Sequence, residues 1–412
     1  MNTYIGEGNM NILFLTLNSF SSLDEKGIYT DLLREFSNRN HNLFIITPVE
    51  KRKNESTELI NAGHVNILKL KIGNIQKTNL FKKGISTLTI ESKYKSGIKK
   101  YFNDVKFDIV LYSTPPITLQ KAIEFVKRRD GSKTYLLLKD IFPQNAVDLR
   151  MLKLSGFKRF IYNYFRTKEE RLYKISDYIG CMSDANVKYL LSHNPTIPAE
   201  IVEVCPNTIE PIDISITEYE KKQTREKYNI PVDKTVFIYG GNLGKPQGID
   251  FLIECLKANE QNYNSFILIV GSGTEYKKLQ NFFDLEKIKN AKLLKQLPKL
   301  DYEILANSCD VGLIFLDKRF TIPNFPSRLL SYMQASMPIL AATDINTDIG
   351  DVIKEGNFGL WCESGNLEEF NNLLNKLKDD ELRIKLGFNS RKYLEKHYTS
   401  KHSYDIIMNH FI

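Results

Sequence analysis

The 412-residue sequence lacks the features that mark several large protein classes. No apolar run reaches the ~18 residues needed to span a bilayer. Residues 1–9 show neither a basic start nor an apolar segment, so we expect no signal peptide. The five cysteines, at 181, 205, 255, 309 and 362, show no CxxC spacing. This pattern argues against a disulfide framework or a thiolate metal site, and it favours the reducing cytoplasm.

Several motifs that organise catalysis are also missing. There is no DxD pair of carboxylates for a divalent cation, and the six histidines show no HxxxH or similar ligand spacing. Neither a GxSxG nucleophile turn nor a Walker A sequence occurs. We therefore expect no metal and no cofactor, so any phosphate group would be neutralised by arginine, lysine and helix dipoles.

Positive charge is present but unevenly distributed. The formal net charge is +8, and Arg150–Lys174 alone holds eight basic and two acidic residues. The segment interleaves cations with aromatic residues, which is typical of a helix lying in the headgroup layer of an anionic membrane. A core helix with solvated lysines is the main alternative. Nucleic acid is the least favoured partner, because the excess charge is confined to one segment and no reader motif occurs.

Apolar runs alternate with helical patterns, which predicts parallel α/β sheets. The strands predicted first are Asn11–Leu17, Leu43–Thr47, Asp108–Ser113, Tyr135–Lys139, Tyr178–Met182 and Glu200–Val204. After a polar linker at Glu210–Lys222, further strands are predicted at Thr235–Tyr239, Phe266–Val270, Ala291–Leu294, Val311–Phe315 and Ile339–Ala341. We predict two doubly wound domains, 1–208 and 209–395, facing a shared cleft, and a helix in 396–412 that crosses back to the first domain. Lys51–Tyr101 is predicted to hold a strand near Val65–Lys71 and a mobile loop.

Two glycine motifs directly follow predicted strands. In YGGNLGKPQG, Tyr239–Gly248, glycines allow close backbone approach, and amides at a helix start could hold a diphosphate with help from Lys245. The alternative is a flexible strand–helix turn. In VGSG, Val270–Gly273, the backbone could approach a base or ribose, but a tight turn is the favoured explanation of this motif alone.

A third motif, TIPNFPSRLLSYMQASMP, covers Thr321–Pro338. Its prolines fix a loop, and a helix is predicted to begin near Ser327, which would cap it. Arg328 in the first turn opposes the helix dipole, and an anionic ligand would remove that conflict. We therefore predict a phosphate site there, with an exposed, solvated arginine as the alternative.

One carboxylate follows a predicted strand of the first domain. Asp140 lies in LKDIFPQNAVDL, Leu138–Leu149, where it would face the cleft. A carboxylate at that position could take a proton from an acceptor hydroxyl. A helix cap or a hydrogen bond to a loop backbone is the alternative.

Taken in order, the motifs YGGNLGKPQG, VGSG and IPNFPSRLLSYMQASMPILAATD resemble the C-terminal domain of glycosyltransferase family 4. LKDIFPQNAVDL and the basic segment after it resemble the N-terminal domain of one branch, which acts on undecaprenyl-diphosphate-linked sugars in capsule and O-antigen assembly and includes N-acetyl-L-fucosamine transferases. The resemblance implies a GT-B fold of two Rossmann-like domains. It also implies a UDP-sugar in the C-terminal domain and a lipid-linked sugar acceptor in the N-terminal one.

The resemblance further implies which residues contact the donor. These are Gly27, Gly241, Asn242, Lys245, Gln247, Gly248, Gly271 and Gly273, with Ser327 and Arg328 on the diphosphate. The sequence departs from the family pattern at two places. Asn242 and Gln247 stand where an Arg–Lys pair is common, and Pro323 and Ser331 stand where two glutamates are common.

We therefore expect a metal-independent enzyme at the inner face of the plasma membrane, which moves a hexosyl or N-acetylaminosugar group from a UDP-sugar to a lipid-linked acceptor. Arg328 and Lys245 would stabilise the departing UDP, and Asp140 would act as the base. Two alternatives stay open. A nucleotide-sugar epimerase also uses paired Rossmann domains, and a non-catalytic assembly protein would bind a nucleotide sugar or the membrane.

Overall fold

The computed structural model describes residues 8–74, 80–152 and 155–411, and the side chains of 80–88 and 157–158 are outside the description. The chain divides into two compact units, Met1–Glu210 with Ser400–Ile412 and Pro211–Thr399, here called the N-terminal and C-terminal units. The domain limits predicted from the sequence lie a few residues from these. Predictions on residues 1–7, on Lys153 and Leu154 of the basic segment and on Ile412 fall outside the described residues.

The N-terminal unit is built on a sheet with the strand order β3-β4-β2-β1-β5-β6-β7-β8. Its strands are β1 Asn11–Leu15, β2 Asn42–Glu50, β3 Glu58–Ala62, β4 Val65–Ile72, β5 Ile109–Ser113, β6 Lys133–Leu138, β7 Tyr178–Cys181 and β8 Val202–Val204. Its helices up to that point are α1 Ile28–Asn38, α2 Leu80–Tyr101, α3 Gln120–Asp130, α4 Gln144–Asp148, α5 Phe157–Ile175 and α6 Asp184–His193. Neighbouring strands pair in parallel except β3 and β4, which are antiparallel.

Strand β1 shows why its run NILFL specifies a central strand. Leu13 and Leu15 pack in one hydrophobic cluster, whereas Ile12 and Phe14 pack in a second one. All four side chains are fully buried. Successive side chains of a strand point to opposite faces, so both faces of the sheet are covered, as in parallel sheets generally.

The C-terminal unit has a second sheet, parallel throughout its described pairings, with the order β11-β10-β9-β12-β13-β14. Its strands are β9 Thr235–Asn242, β10 Ser265–Ser272, β11 Ala291–Lys295, β12 Val311–Phe315, β13 Ile339–Thr343 and β14 Gly359–Glu363. Its helices are α7 Glu218–Lys227, α8 Ile249–Asn259, α9 Tyr276–Glu286, α10 Lys299–Asn307, α11 Arg328–Gln334, α12 Ile349–Gly356, α13 Leu367–Lys376 and α14 Asp380–His397. The sheet core is aliphatic and aromatic, with Phe237, Ile269 and Leu313 fully buried.

The last helix, α15 (Ser400–Met408), belongs to the N-terminal unit and packs on α1. Tyr404 lies edge-on to Phe36, with ring centroids 4.7 Å apart, and its hydroxyl is 2.8 Å from His41 Nε2. The last helix of the chain therefore completes the N-terminal unit, although the whole C-terminal unit precedes it in the sequence.

Some predicted elements need correction. Residues 80–101 of Lys51–Tyr101 form helix α2, which was not predicted, and neither were β3 and β14. The mobile loop predicted in Lys51–Tyr101 stays a prediction, because residues 75–79 of that range lie outside the described residues. The predicted linker Glu210–Lys222 overlaps α7, which begins after Thr217 with a capping box between Thr217 and Glu220. In the described part of the chain, no helix combines the length and the apolar character that crossing a membrane requires.

Candidate active site

The first glycine motif joins β9 to α8. Strand β9 continues beyond Tyr239 through two glycines to Asn242, so the strand is longer than predicted. A single 3₁₀ turn, Lys245–Gln247, and Gly248 then lead into α8. Gly248 has φ 56°, and a Cβ there would lie 3.1 Å from the carbonyl oxygen of Leu316. Both the positive φ and the nearness of the Leu316 carbonyl oxygen therefore favour glycine at this position.

Arg328, the first residue of α11, lies against this motif. Its Nη2 donates a hydrogen bond to Gln247 Oε1 over 2.6 Å. The guanidinium carbon is 4.2 Å from the centroid of the Tyr239 ring, which is cation–π geometry. Its Cζ and Nη2 lie 3.9 Å from where a Cβ on Gly241 would be. The structure thus brings Arg328, Gln247 and Gly241 together.

Tyr239 and Gln247 form a buried support under the arginine. Gln247 is 8% exposed, and the Tyr239 hydroxyl lies 3.0 Å from its Oε1 and 2.8 Å from the Asn242 carbonyl oxygen, which share its one proton. Burial raises the pKa of Tyr239, and the positive charge of Arg328 opposes that rise. Arg328 Nη1 is buried and has no hydrogen-bond partner among the described residues. A buried N–H group of this kind is costly unless a ligand accepts from it.

Ser327 does not cap α11 as the sequence suggested. Its backbone is already helical, with φ −65° and ψ −17°, and its side chain makes no capping hydrogen bond. An N-cap residue needs an extended backbone to turn its oxygen toward the helix amides. Ser327 is exposed and directly precedes Arg328, so its predicted contact with a diphosphate stays a prediction.

Lys245 lines a different space from the one that Arg328 occupies. It is exposed and borders a polar cavity of about 210 Å³, whose other lining residues are Ile249, Asp250, Glu275, Lys278, Asp317 and Arg319. Arg319 is held there by Asp317 through two hydrogen bonds of 2.8 and 2.6 Å. Arg328 does not line this cavity. Binding of one diphosphate by both Lys245 and Arg328 therefore stays a prediction.

Gly271 and Gly273, predicted to lie near the nucleotide, stand at the end of β10, where strands meet closely. Gly271 pairs with Gly241, and a Cβ on Gly271 would lie 2.0 Å from the Gly241 carbonyl oxygen. At Gly273 a Cβ would lie 2.3 Å from the Leu243 carbonyl oxygen. Packing alone therefore accounts for both glycines. Asn242, at the end of β9, is exposed.

Two predicted residues belong to the N-terminal unit. Gly27 precedes α1 with an extended backbone, φ 170°, which any residue can adopt, and its N–H donates to Asp31 Oδ1 over 3.2 Å. Asp140 follows β6, and its Oδ1 accepts a hydrogen bond from Asn145 Nδ2 over 2.7 Å. Its backbone N–H donates to Thr114 Oγ1 over 3.2 Å.

The environment of Asp140 makes it more basic than an ordinary carboxylate. Burial raises the pKa of Asp140 to about 6, against the opposing hydrogen bonds from Asn145 and from the Ile141 N–H. A carboxylate with such a pKa is ionised at neutral pH and still accepts a proton readily. Its position after a parallel strand, at the edge where ligands bind in α/β sheets, is compatible with a catalytic base.

Phe157–Lys174 of the basic segment lies in α5, which presents a mixed outer face. Phe160 is 73% exposed and Tyr164 41%, and Arg159 beside them is exposed as well. The opposite face is part of the core, where Tyr173 is buried and Lys168 forms a buried ion pair with Glu91 over 3.2 Å. The cations and rings of the segment are therefore divided between the two faces.

Two residues that contact predicted site residues, Tyr239 beside Arg328 and Asn145 beside Asp140, were given no role from the sequence. Tyr239 stands at the start of the glycine motif, and an aromatic residue directly before the glycines at a strand end was the available signal. Asn145 lies five residues after Asp140, within the same quoted segment. Its contact with the carboxylate depends on the turn between β6 and α4, which no periodicity predicts.

Comparison with known proteins decides the class of the chain. Residues 220–396 match the model of the family described as "Glycosyl transferases group 1". The chain carries a group 1 glycosyltransferase domain. The probable glycosyltransferase WbjE of Pseudomonas aeruginosa is 23% identical over 298 residues, which are 71% of this chain and 71% of that protein. The prediction that the chain is a glycosyltransferase is confirmed.

Solved structures agree on the fold. Sucrose-phosphate synthase of Thermosynechococcus elongatus matches 98% of this chain and 98% of its own with a TM-score of 0.74 at 12% identity. Anabaena HepE in complex with UDP-glucose matches 98% and 99% with a TM-score of 0.68 at 14% identity. The predicted fold class, two α/β units with parallel sheets as in GT-B glycosyltransferases, is confirmed. Membership of family 4 and of the fucosamine branch stays a prediction.

Proposed function

We propose that this group 1 glycosyltransferase domain uses a UDP-sugar and transfers its sugar to an undecaprenyl-diphosphate-linked acceptor, in the assembly of capsule, O-antigen or another surface polysaccharide. The observation that carries the proposal is the placement of Arg328. Its guanidinium is fixed against Gly241 and Gln247, and Nη1 keeps its hydrogen-bonding capacity unused among the described residues. Arginine is well suited to phosphate oxygens, because its planar fork donates in a fixed geometry.

Two further observations support the nucleotide-sugar donor. Arg328 lies at the carboxyl end of β9, which is where α/β sheets bind ligands. The fold also matches that of HepE, whose structure contains UDP-glucose. In the proposed reaction the bond between the sugar and the β-phosphate oxygen breaks, and negative charge develops on UDP. Arg328 stabilises that charge, and Lys245 adds to the positive potential.

The acceptor side of the proposal rests on Asp140. An acceptor hydroxyl oxygen forms the new bond to the anomeric carbon, and Asp140 takes the hydroxyl proton. The pKa of Asp140, raised to about 6 by burial, suits this role at neutral pH. Side-chain cations neutralise the diphosphate in this scheme, so we propose that the reaction requires no divalent cation, and a chelator should leave turnover unchanged.

The lipid-linked acceptor also suggests where the enzyme works. We propose that the outer face of α5 docks on the anionic cytoplasmic surface of the plasma membrane. Phe160 and Tyr164 would enter the headgroup layer, and Arg159 would lie near the lipid phosphates. An anionic membrane surface binds helix faces that combine exposed aromatic rings with cations.

The experiment that tests this function is a transfer assay read by mass spectrometry. Purified protein is incubated with a panel of UDP-sugars and a short-chain polyprenyl-diphosphate monosaccharide. We expect a mass gain of one sugar on the lipid with at least one donor. An isomerised donor without lipid gain would identify an epimerase, and UDP binding without either product would identify an assembly protein.

A further inference from the structure

Gln247 has its acceptor oxygen committed within the protein. Oε1 accepts from Arg328 Nη2 over 2.6 Å, and the Tyr239 hydroxyl lies 3.0 Å from Oε1 and 2.8 Å from the Asn242 carbonyl oxygen. The single hydroxyl proton is shared between these two acceptors, so Arg328 is the main donor to Oε1. The side chain is 8% exposed, which leaves little surface for a ligand. Recognition of a donor through Oε1 would break the contacts that hold the side chain, so only the Nε2 amide group could reach a ligand without disturbing Arg328.

The same contacts restrict the guanidinium of Arg328. One of its nitrogens is anchored to Gln247, and the Tyr239 ring lies beneath its plane at 4.2 Å. A long side chain that is held at two points has few rotamers available even without a ligand. Ligand binding therefore costs less side-chain entropy. Of the two other nitrogens, Nη1 is buried and has no hydrogen-bond partner in the described part of the chain.

We propose that Gln247 and Tyr239 are positioning residues that hold Arg328 ready for the donor diphosphate, with Gln247 acting on Arg328 through Oε1. This inference rests on the proposed function, which supplies the diphosphate. It gives Gln247 a role beyond the expected donor contact, as a support of the residue that binds the diphosphate.

A neutral amide at this position supports Arg328 in a way that a charged residue does not. A lysine at 247, the residue common there in the family that the sequence resembles, has no acceptor for a hydrogen bond from the guanidinium. A carboxylate would pair with Arg328 and cancel the charge that the diphosphate needs. Glutamine accepts the hydrogen bond and leaves the positive charge of Arg328 intact.

A double-mutant cycle on UDP affinity tests the inference, with titration calorimetry as the measurement. The variants are Gln247→Leu, Arg328→Ala and the double variant. We expect Gln247→Leu alone to weaken UDP binding about tenfold, since a hydrogen bond to a charged group is lost. In the Arg328→Ala background the same change should cost no more than about twofold, because its partner is gone. Effects that multiply, or no effect of Gln247→Leu on UDP, would overturn the proposal.

Two controls separate positioning from folding. Gln280→Leu makes the same change on α9, where Gln280 Nε2 donates to Asp284 Oδ1 over 2.9 Å, and it should leave UDP affinity unchanged. Uridine, which lacks the diphosphate, should bind all variants equally, whereas equal losses for uridine and UDP would mean local misfolding and would overturn the proposal. If Gln247→Leu fails to fold, Tyr239→Phe replaces it in the cycle, because it retains the ring and removes the hydroxyl that lies beside Gln247 Oε1 and the Asn242 carbonyl oxygen.

The outcomes also separate this inference from the proposed function. A wild-type protein that binds UDP but transfers no sugar would end the proposed function, while the cycle on UDP affinity is still decisive for Gln247. Intact sugar transfer together with multiplicative effects would end the positioning role alone. A wild-type protein that does not bind UDP would end both.

Discussion

Arg328 Nη2 donates to Gln247 Oε1 over 2.6 Å, although 81 residues separate the two along the chain. The contact joins the first residue of α11 to the end of the glycine motif. Neighbouring strands make it possible, because β9 and β12 pair side by side in the sheet and the two loops follow their carboxyl ends. The sheet thus places the guanidinium of Arg328 next to the backbone of Gly241, which no side chain covers.

Gly271→Ala should destabilise the C-terminal unit. The added Cβ would lie 2.0 Å from the Gly241 carbonyl oxygen, so two paired strands must move apart. Overpacking of this kind costs about 1–3 kcal/mol. Urea unfolding followed by the fluorescence of Trp361, the single tryptophan of the chain, should show the loss as a lower transition midpoint.

Ser272→Ala is the neighbouring control for this change. Ser272 is exposed, and its hydroxyl donates to Gln296 Oε1 over 2.7 Å, so its replacement should lower the transition midpoint much less. Wild-type stability of Gly271→Ala, combined with loss of UDP binding, would show instead that the glycine is needed for the donor.

Asp140 should give the reaction a pH dependence. If it is the base, kcat/KM rises with pH through about 6 and then levels off, because burial raises the pKa of Asp140 to about 6. Asp140→Asn should lower turnover by about 100-fold or more and remove this rise. Initial rates from pH 5 to pH 8 measure both effects, and full activity of the variant would exclude the carboxylate as base.

The same raised pKa predicts a change of stability with pH. The folded pKa of about 6 exceeds the ordinary value of 3.8, so the stabilisation is complete below the unfolded pKa and is lost as pH rises through about 6. Asp140→Asn should therefore gain stability relative to the wild type between pH 4 and pH 8, by up to about 3 kcal/mol. Asp148→Asn is the control, since Asp148 accepts from the nearby Gln144 over 2.8 Å. A constant difference between Asp140→Asn and the wild type across this range would contradict the assignment.

The outer face of α5 should bind anionic membranes. Arg159→Glu combined with Phe160→Ser should weaken binding to phosphatidylglycerol vesicles about tenfold or more, because a cation is reversed and an exposed ring is removed. Sedimentation of the protein with vesicles measures the affinity.

The matched control combines Arg128→Glu with Phe388→Ser, which changes the charge and the apolar surface equally. The Arg128 side chain is 78% exposed on α3, and Phe388 is 63% exposed on α14. Equal losses of vesicle affinity in the two double variants would indicate that the membrane attracts the protein's positive charge and apolar surface without preference for α5. Unchanged binding of the α5 variant would make α5 a core helix with a solvated outer face.

Much of the fold could be predicted because buried parallel strands are continuous apolar runs. β1 and β12 have that pattern, and both were predicted close to their observed positions. β3 is an edge strand with exposed and half-buried residues, so it lacks an apolar run and was not predicted. In Lys51–Tyr101 the prediction found β4 and missed α2, whose polar sequence KSGIKK reads as a loop.

The candidate site shows a different limit. The family resemblance implied that Arg328 and the glycine motif contact the same donor, and the structure brings Arg328 beside Gly241. The sequence could not show that Gln247 pairs with Arg328, since that contact depends on rotamers of side chains distant along the chain. Capping by Ser327 failed for a backbone reason, because its helical φ and ψ turn the hydroxyl away from the amides.

The most direct test of the account is the effect of Arg328→Ala on transfer by the purified enzyme. We predict that kcat/KM for the donor falls about 100-fold or more, because the cation that faces the departing diphosphate is lost. Thermal unfolding should stay near that of the wild type, and Arg383→Ala on α14 should transfer normally. Near-wild-type turnover of Arg328→Ala would contradict the account, because the diphosphate would then be held by other groups.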